Sequence, residues 1–189
     1  MSKPWELKET PWKTEAAFWS YIRGGLRKAL WNRNPIKILY MKSVRFKAPL
    51  GVKSKKNPTG MVWAYNCEHC GGIFRQDAIE VDHKISAGSL KGLKDLHIFV
   101  ERLAMVSPDD LRILDKKCHK VYSYADSLGV SFEEAELRKE IIDLRRGGVS
   151  SVKEFLLSEG FVTKEINNEA NRKLCFEVYI KDELKRRSN

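Results

Sequence analysis

The stretch EVDHK, Glu80 to Lys84, sets a carboxylate directly against an imidazole. Read with Ala78 and Ile79 before it, the segment alternates apolar and polar, the mark of a short half-buried strand ending on Asp82-His83. PDDLRIL, residues 108–114, reads as a second short strand, and KKCHKVYSYADSLG, residues 116–129, as a helix ending at Gly129. An Asp-His dipeptide alone carries no information. Here it lies between two cysteine elements, CEHC at 67–70 and CHK at 118–120, and that position makes it a candidate site. Short strands mixed with separate helices predict an α+β fold.

MVWAYNCEHCGGIF, residues 61–74, reads as a strand entering a knuckle. Cys67 and Cys70 at this spacing can grip one Zn²⁺ from a tight turn, and Gly71-Gly72 supply the permissive backbone. A second pair is needed. Cys118 offers one thiolate, and three positions earlier, where a second Cys-x-x-Cys would begin, stands Asp115. A Cys₃Asp site is chemically sound but holds zinc less well than Cys₄, because thiolate is the softer ligand. The plain alternative is that these cysteines are small buried hydrophobes. Zinc joining the two halves would also bring His119 toward the strand of Asp82 and His83. A carboxylate and an imidazole, Asp82 and His119, then suit a hard divalent cation. His83 is left as general base, with an ordinary pKa of about 6.5. His69 and His97 lack this setting.

The chain has 189 residues, 42% hydrophobic and 32% charged, which suits one domain with extensions. It holds no apolar run of about 18 residues, so no membrane-spanning helix is expected. The opening MSKPWELKETPWK has no apolar core of a secretory signal, and four cysteines then point to reduced thiols in a cytoplasm. The net charge of +10 is unevenly spread. Residues 1–60 hold 14 Lys/Arg against 3 acids, residues 61–125 hold 9 of each, and residues 126–189 hold 12 against 13. Four of the five tryptophans, Trp5, Trp12, Trp19 and Trp31, share the basic first third. Cations interleaved with aromatics suit a polyanion, although the rings equally suit packing. The expected partner is a nucleic acid, which the resemblance described below narrows to double-stranded DNA, and the expected contacts are Arg23, Arg27, Lys28, Arg33, Lys42, Arg45, Lys47, Lys53, Lys55 and Lys56.

These patterns divide the chain into a basic helical arm (1–60), a core (61–128) and a helical C-terminal extension (129–189). In the arm, TEAAFWSYIRGGLRKALW reads as a helix capped by Thr14 and interrupted at Gly24-Gly25, and KAPLGVKSKKNPTG as an exposed loop. LKDLHIFVERLAM reads as an amphipathic helix inserted between the two short strands. In the extension, Ser131 and Glu134 form a capping-box pattern opening a helix that Gly147 closes, and two further helical segments follow.

The motifs CEHCGGIF, IEVDHKISAGSL and DDLRILDKKCHKVYSYADSLGVSFEEA, over roughly residues 61–140, resemble the HNH endonucleases of the phage-borne, free-standing or intron homing type. The resemblance implies a ββα-metal core with a zinc knuckle. It makes Asp82 and His119 ligands of a catalytic Mg²⁺ or Mn²⁺ and His83 the general base. Cys67, Cys70, Asp115 and Cys118 take the places of structural zinc ligands. Three positions depart from the family pattern: Asp110 stands for the asparagine that orients the base, Asp115 for a zinc cysteine, and Tyr122-Ser123 for Lys-Thr. The implied activity is metal-dependent hydrolysis of a DNA phosphodiester, in the cytoplasm of a phage-infected bacterial cell. The departures keep open a zinc-stabilised DNA-binding protein with a decayed nuclease centre. The C-terminal helices keep open an interaction protein.

Overall fold

Thr14 starts the first helix as its capping pattern predicts: its hydroxyl accepts the Ala17 N–H at 3.1 Å, and Glu15–Leu26 (α1) follows. The computed structural model describes residues 3–188. The expected break at Gly24-Gly25 does not occur, and α1 runs through both glycines. The distortion comes one step later, as a π-helical turn at Arg27–Trp31 whose Asn32 N–H reaches back to the Arg27 carbonyl at 3.1 Å. Asn34 then caps a second helix, Pro35–Val44 (α2), by accepting the Ile36 and Lys37 N–H groups. The apolar spacing does not mark this helix, although Asn followed by Pro is a helix-start signal.

Three short antiparallel strands come next: Phe46–Ala48 (β1), Val62–Asn66 (β2) and Ile73–Arg75 (β3), in that spatial order. β1 takes the first residues of the stretch expected to be loop. Ile79–His83 (β4) and Leu111–Asp115 (β5) form a separate antiparallel pair with Ile79 opposite Asp115, Val81 opposite Ile113 and Asp82 opposite Arg112. Between them lies Leu93–Ala104 (α3), the expected amphipathic helix. Directly after β5 begins Lys116–Leu128 (α4). The protein is therefore α+β, with small antiparallel sheets, and α4 follows directly on the β4–β5 pair, whose strands are separated in sequence by α3.

Two compact units divide the chain, Met1–Cys118 and His119–Asn189, so the boundary falls inside α4. In the first unit, Tyr65, Ile79, Val81, Leu111 and Ile113 form one apolar cluster. Trp19 with Ala87, Leu90, Phe99 and Leu103 forms another, which ties α1 to α3. The arm is thus part of a core, with Trp19 only 7% exposed against α3, where burying a ring such as Phe99 contributes about 1.5–3 kcal/mol.

The second unit is helical: the rest of α4, then Phe132–Arg146 (α5), Gly148–Ser158 (α6) and Glu169–Ser188 (α7). Leu137, Ile141, Val152, Leu156, Ile166 and Phe176 make up most of its core. Ser131 caps α5 through the Glu134 N–H, but the Glu134 carboxylate takes Arg138 at 2.9 Å instead of completing the capping box. Among the described residues, no helix is long and apolar enough to cross a membrane.

Candidate metal centre and the Asp82–His83 strand

The knuckle is a turn locked by backbone. Cys67 N–H donates to the Gly72 carbonyl at 2.8 Å and Gly71 N–H to the Cys67 carbonyl at 2.9 Å, with Gly71 at φ +70°, a conformation glycine adopts without strain. A Cβ on Gly72 would meet the Phe74 ring at 2.7 Å, so a side chain there would have to displace that ring. Glu68 fastens the turn to β5. Its N–H donates to the Ile113 carbonyl at 2.9 Å, and its Oε1 accepts the Ile113 N–H at 2.9 Å and the Tyr40 hydroxyl at 2.6 Å.

This fastening delivers Cys67 and Cys70 to the end of β5 and the start of α4, where Asp115 and Cys118 stand. One ligand atom from each of the four lies within 4.8 Å of the others. Tetrahedral ligands of zinc at about 2.3 Å stand roughly 3.8 Å apart, so the set closes on an ion with shifts of at most about 1 Å. The cluster can hold a metal ion. Asp115 is buried and has two tasks. Oδ1 accepts the N–H groups of Lys117 at 2.8 Å and Cys118 at 3.3 Å, which is the N-cap of α4. Oδ2 faces the thiols and accepts from Cys70 Sγ at 3.5 Å. Burial raises the Asp115 pKa, but hydrogen bonds from the Cys118 and Cys67 thiols and from the two backbone N–H groups outweigh it and hold it at about 2. Burial and Asp115 push the Cys118 thiol well up. For Cys70, the Gly72 N–H lowers the pKa, but burial and the adjacent Cys67 prevail and raise it. A cation would reverse this, because a metal-bound thiol gives up its proton. Cys175 lies elsewhere, buried in the second unit's core.

Asp82 and His83 end β4 as expected, but each is engaged. Arg112, opposite Asp82 across the ladder, donates Nε at 3.0 Å and Nη2 at 2.7 Å to Asp82 Oδ2. The Trp31 ring, carried by the π-helical turn, lies over His83 with centroids 3.9 Å apart at 33°. His83 Nε2 is buried and has no hydrogen-bond partner. Burial pushes its pKa below the ordinary histidine value, and Arg27 and Lys37 add to the shift. A hydrogen bond to the Leu103 backbone and the Asp82 charge oppose it. Asp110 does not hydrogen-bond His83. Its carboxylate accepts the Ser107 N–H and hydroxyl, both at 2.7 Å, which lower its pKa, and its backbone carbonyl accepts the Lys84 N–H at 2.8 Å. His119 follows Cys118 on α4 and belongs to the second unit. Tyr122, also there, packs its ring on Phe132 at 4.7 Å.

Of the ten cations expected to meet DNA, Arg23 and Arg45 are half-buried and the rest exposed. Sequence reasoning misses Arg112, Trp31, Glu68, Tyr40 and Trp63. Arg112 is within its reach, because pairing two short strands antiparallel puts a partner opposite Asp82. Trp63 meets Lys47 through the β1–β2 register, and the other three meet their partners only through tertiary packing. Comparison of the chain with protein-family models, with curated proteins and with solved structures finds no match.

Proposed function

We propose that the protein is a metal-dependent DNA endonuclease of the HNH type. One observation carries the reading: an antiparallel strand pair with Asp-His at the end of its first strand, followed at once by a helix whose start is tied into a Cys₃Asp cluster. In this reading Zn²⁺ at the cluster is structural. His83 takes a proton from the water that attacks phosphorus in line, and its lowered pKa keeps it in the neutral form a base needs. Mg²⁺ or Mn²⁺, for which the resemblance supplies Asp82 and His119, would neutralise charge building on the phosphate. The basic surface of residues 1–60 would hold the DNA backbone.

A second reading, a DNA-binding protein with a decayed nuclease centre, is favoured by two contacts. Arg112 takes Asp82 and Trp31 covers His83. Plasmid cleavage with and without Mg²⁺, by wild type and His83→Ala, separates the two. Metal-dependent cleavage that the variant loses, with DNA affinity retained, supports the nuclease. Binding without cleavage by wild type supports the decayed centre, and equal cleavage by both proteins removes His83 as the base.

A further inference from the structure

We propose that Arg45, Lys47 and Trp63 form a clamp for the phosphate backbone of duplex DNA, in which the indole holds both cations ready for their phosphates. The ligand class rests on the DNA reading above, but no part of the clamp rests on catalysis at His83.

The strand register places the three side chains together. Lys47 on β1 lies opposite Trp63 on β2, and Arg45, two residues before Lys47, shares its side of the chain. The Arg45 guanidinium carbon stands 4.0 Å from the Trp63 ring centroid, and Lys47 Nζ stands 4.2 Å from it. Trp63 itself is 39% exposed, so the ring serves the surface of the sheet more than its core. Beside it runs an open groove of about 590 Å³, lined among others by Lys47, Trp63, Arg75 and Asp77. Arg75 is paired there with Asp77 at 3.2 Å. Among the described residues, neither Arg45 nor Lys47 has a carboxylate partner. The two cations are thus uncompensated, in the part of the chain that carries the whole basic excess.

Long basic side chains lose rotamer freedom when they grip a ligand, and that loss weakens binding. Resting both on one indole fixes them beforehand. The same contacts decide between a phosphate and an unpaired base as the ligand. A base needs a bare ring to stack on, whereas this ring is already engaged by cations whose charge points to an anion.

The test is binding of the full-length protein to a short DNA duplex, followed by fluorescence anisotropy across a range of salt concentrations. The Arg45→Ala/Lys47→Ala double variant should lower the slope of log affinity against log salt by about 1.8, at about 0.9 per phosphate contact. Trp63→Leu should weaken binding about tenfold with the slope unchanged, because every charge remains. Trp63→Tyr, which keeps an aromatic face, should restore most of the affinity. Thermal melts of each variant show that the fold is kept. A double variant with the wild-type slope overturns the clamp, and so does Trp63→Leu with wild-type affinity, or a wild type that ignores the duplex. Plasmid cleavage is scored separately. Absence of cleavage with the expected slopes removes the nuclease and leaves the clamp, and cleavage with unchanged slopes does the reverse.

Discussion

At the scale of single residues, Asp115 decides most. Its two oxygens serve different masters, one the backbone of α4 and one the thiols. The spacing with Cys118 shows the second role in the sequence, whereas the first needs the helix to begin on the next residue. The two roles can be separated by substitution. Asp115→Asn keeps a good cap but loses both the anionic ligand and the stabilising charge, so at neutral pH it should melt below wild type in chelator and hold zinc more weakly. Asp115→Cys should hold zinc more tightly yet melt lower in chelator, by about 1 kcal/mol for the lost cap. Zinc content and melting temperature with and without chelator check both. Zinc held as firmly by Asp115→Asn as by wild type would remove the carboxylate from the site. The pH dependence has a definite sign. A carboxyl at about 2 in the folded chain, below its unfolded value near 3.9, stabilises the fold above that value. The contribution is lost as pH falls from about 4 toward 2. In chelator, wild type should lose stability over that window relative to Asp115→Asn.

At the scale of elements, α1 and the turn after it invite two measurements. Gly24 and Gly25 sit inside a helix, and a Cβ at either position would have no packed neighbour within 4 Å. Gly24→Ala should therefore raise stability by about 0.5–1 kcal/mol, read from denaturant unfolding. A loss of stability would mean that the helix needs its glycines. Trp31→Leu should uncover His83. Its imidazole should then titrate closer to the ordinary histidine value, followed by proton NMR, and react faster with diethylpyrocarbonate. An unchanged titration would place the burial of His83 elsewhere. Most elements are legible in the sequence: β4 from its alternation, α3 from its amphipathic spacing, α4 from Gly129, α5 from Ser131. What escapes has physical causes. Helix α2 has an apolar sequence without clean periodicity, β1 is only three residues long, and a π-helical turn leaves no local signature.

At the scale of the whole molecule, charge and core follow the two units. Residues 1–118 hold 22 Lys/Arg and 12 Asp/Glu, and residues 119–189 hold 13 of each. The first unit contains the four cluster residues with Asp82 and His83, and the second has its own apolar core. Leu156, fully buried there, should cost about 2–5 kcal/mol when replaced by Ala, while the zinc content stays that of wild type. Zinc lost along with that stability would show the cluster to depend on the helical unit. Composition divides the chain at 60 and 128. Packing divides it after 118, because Trp19 and its neighbours draw the basic stretch into a core with α3. Composition reports what faces solvent, and it is blind to which apolar residues find one another.

The Trp31 ring stacked on His83, whose buried Nε2 has no hydrogen-bond partner, would have a kinetic meaning in the proposed nuclease. In the proposed nuclease, a proton would reach His83 Nε2 only once the ring had moved, and turnover would then be timed by a motion of the chain before any bond is made. Such a step slows in viscous solvent and shows little isotope effect in heavy water. It would also tie the pace of the proposed chemistry to whatever bends the segment between α1 and α2.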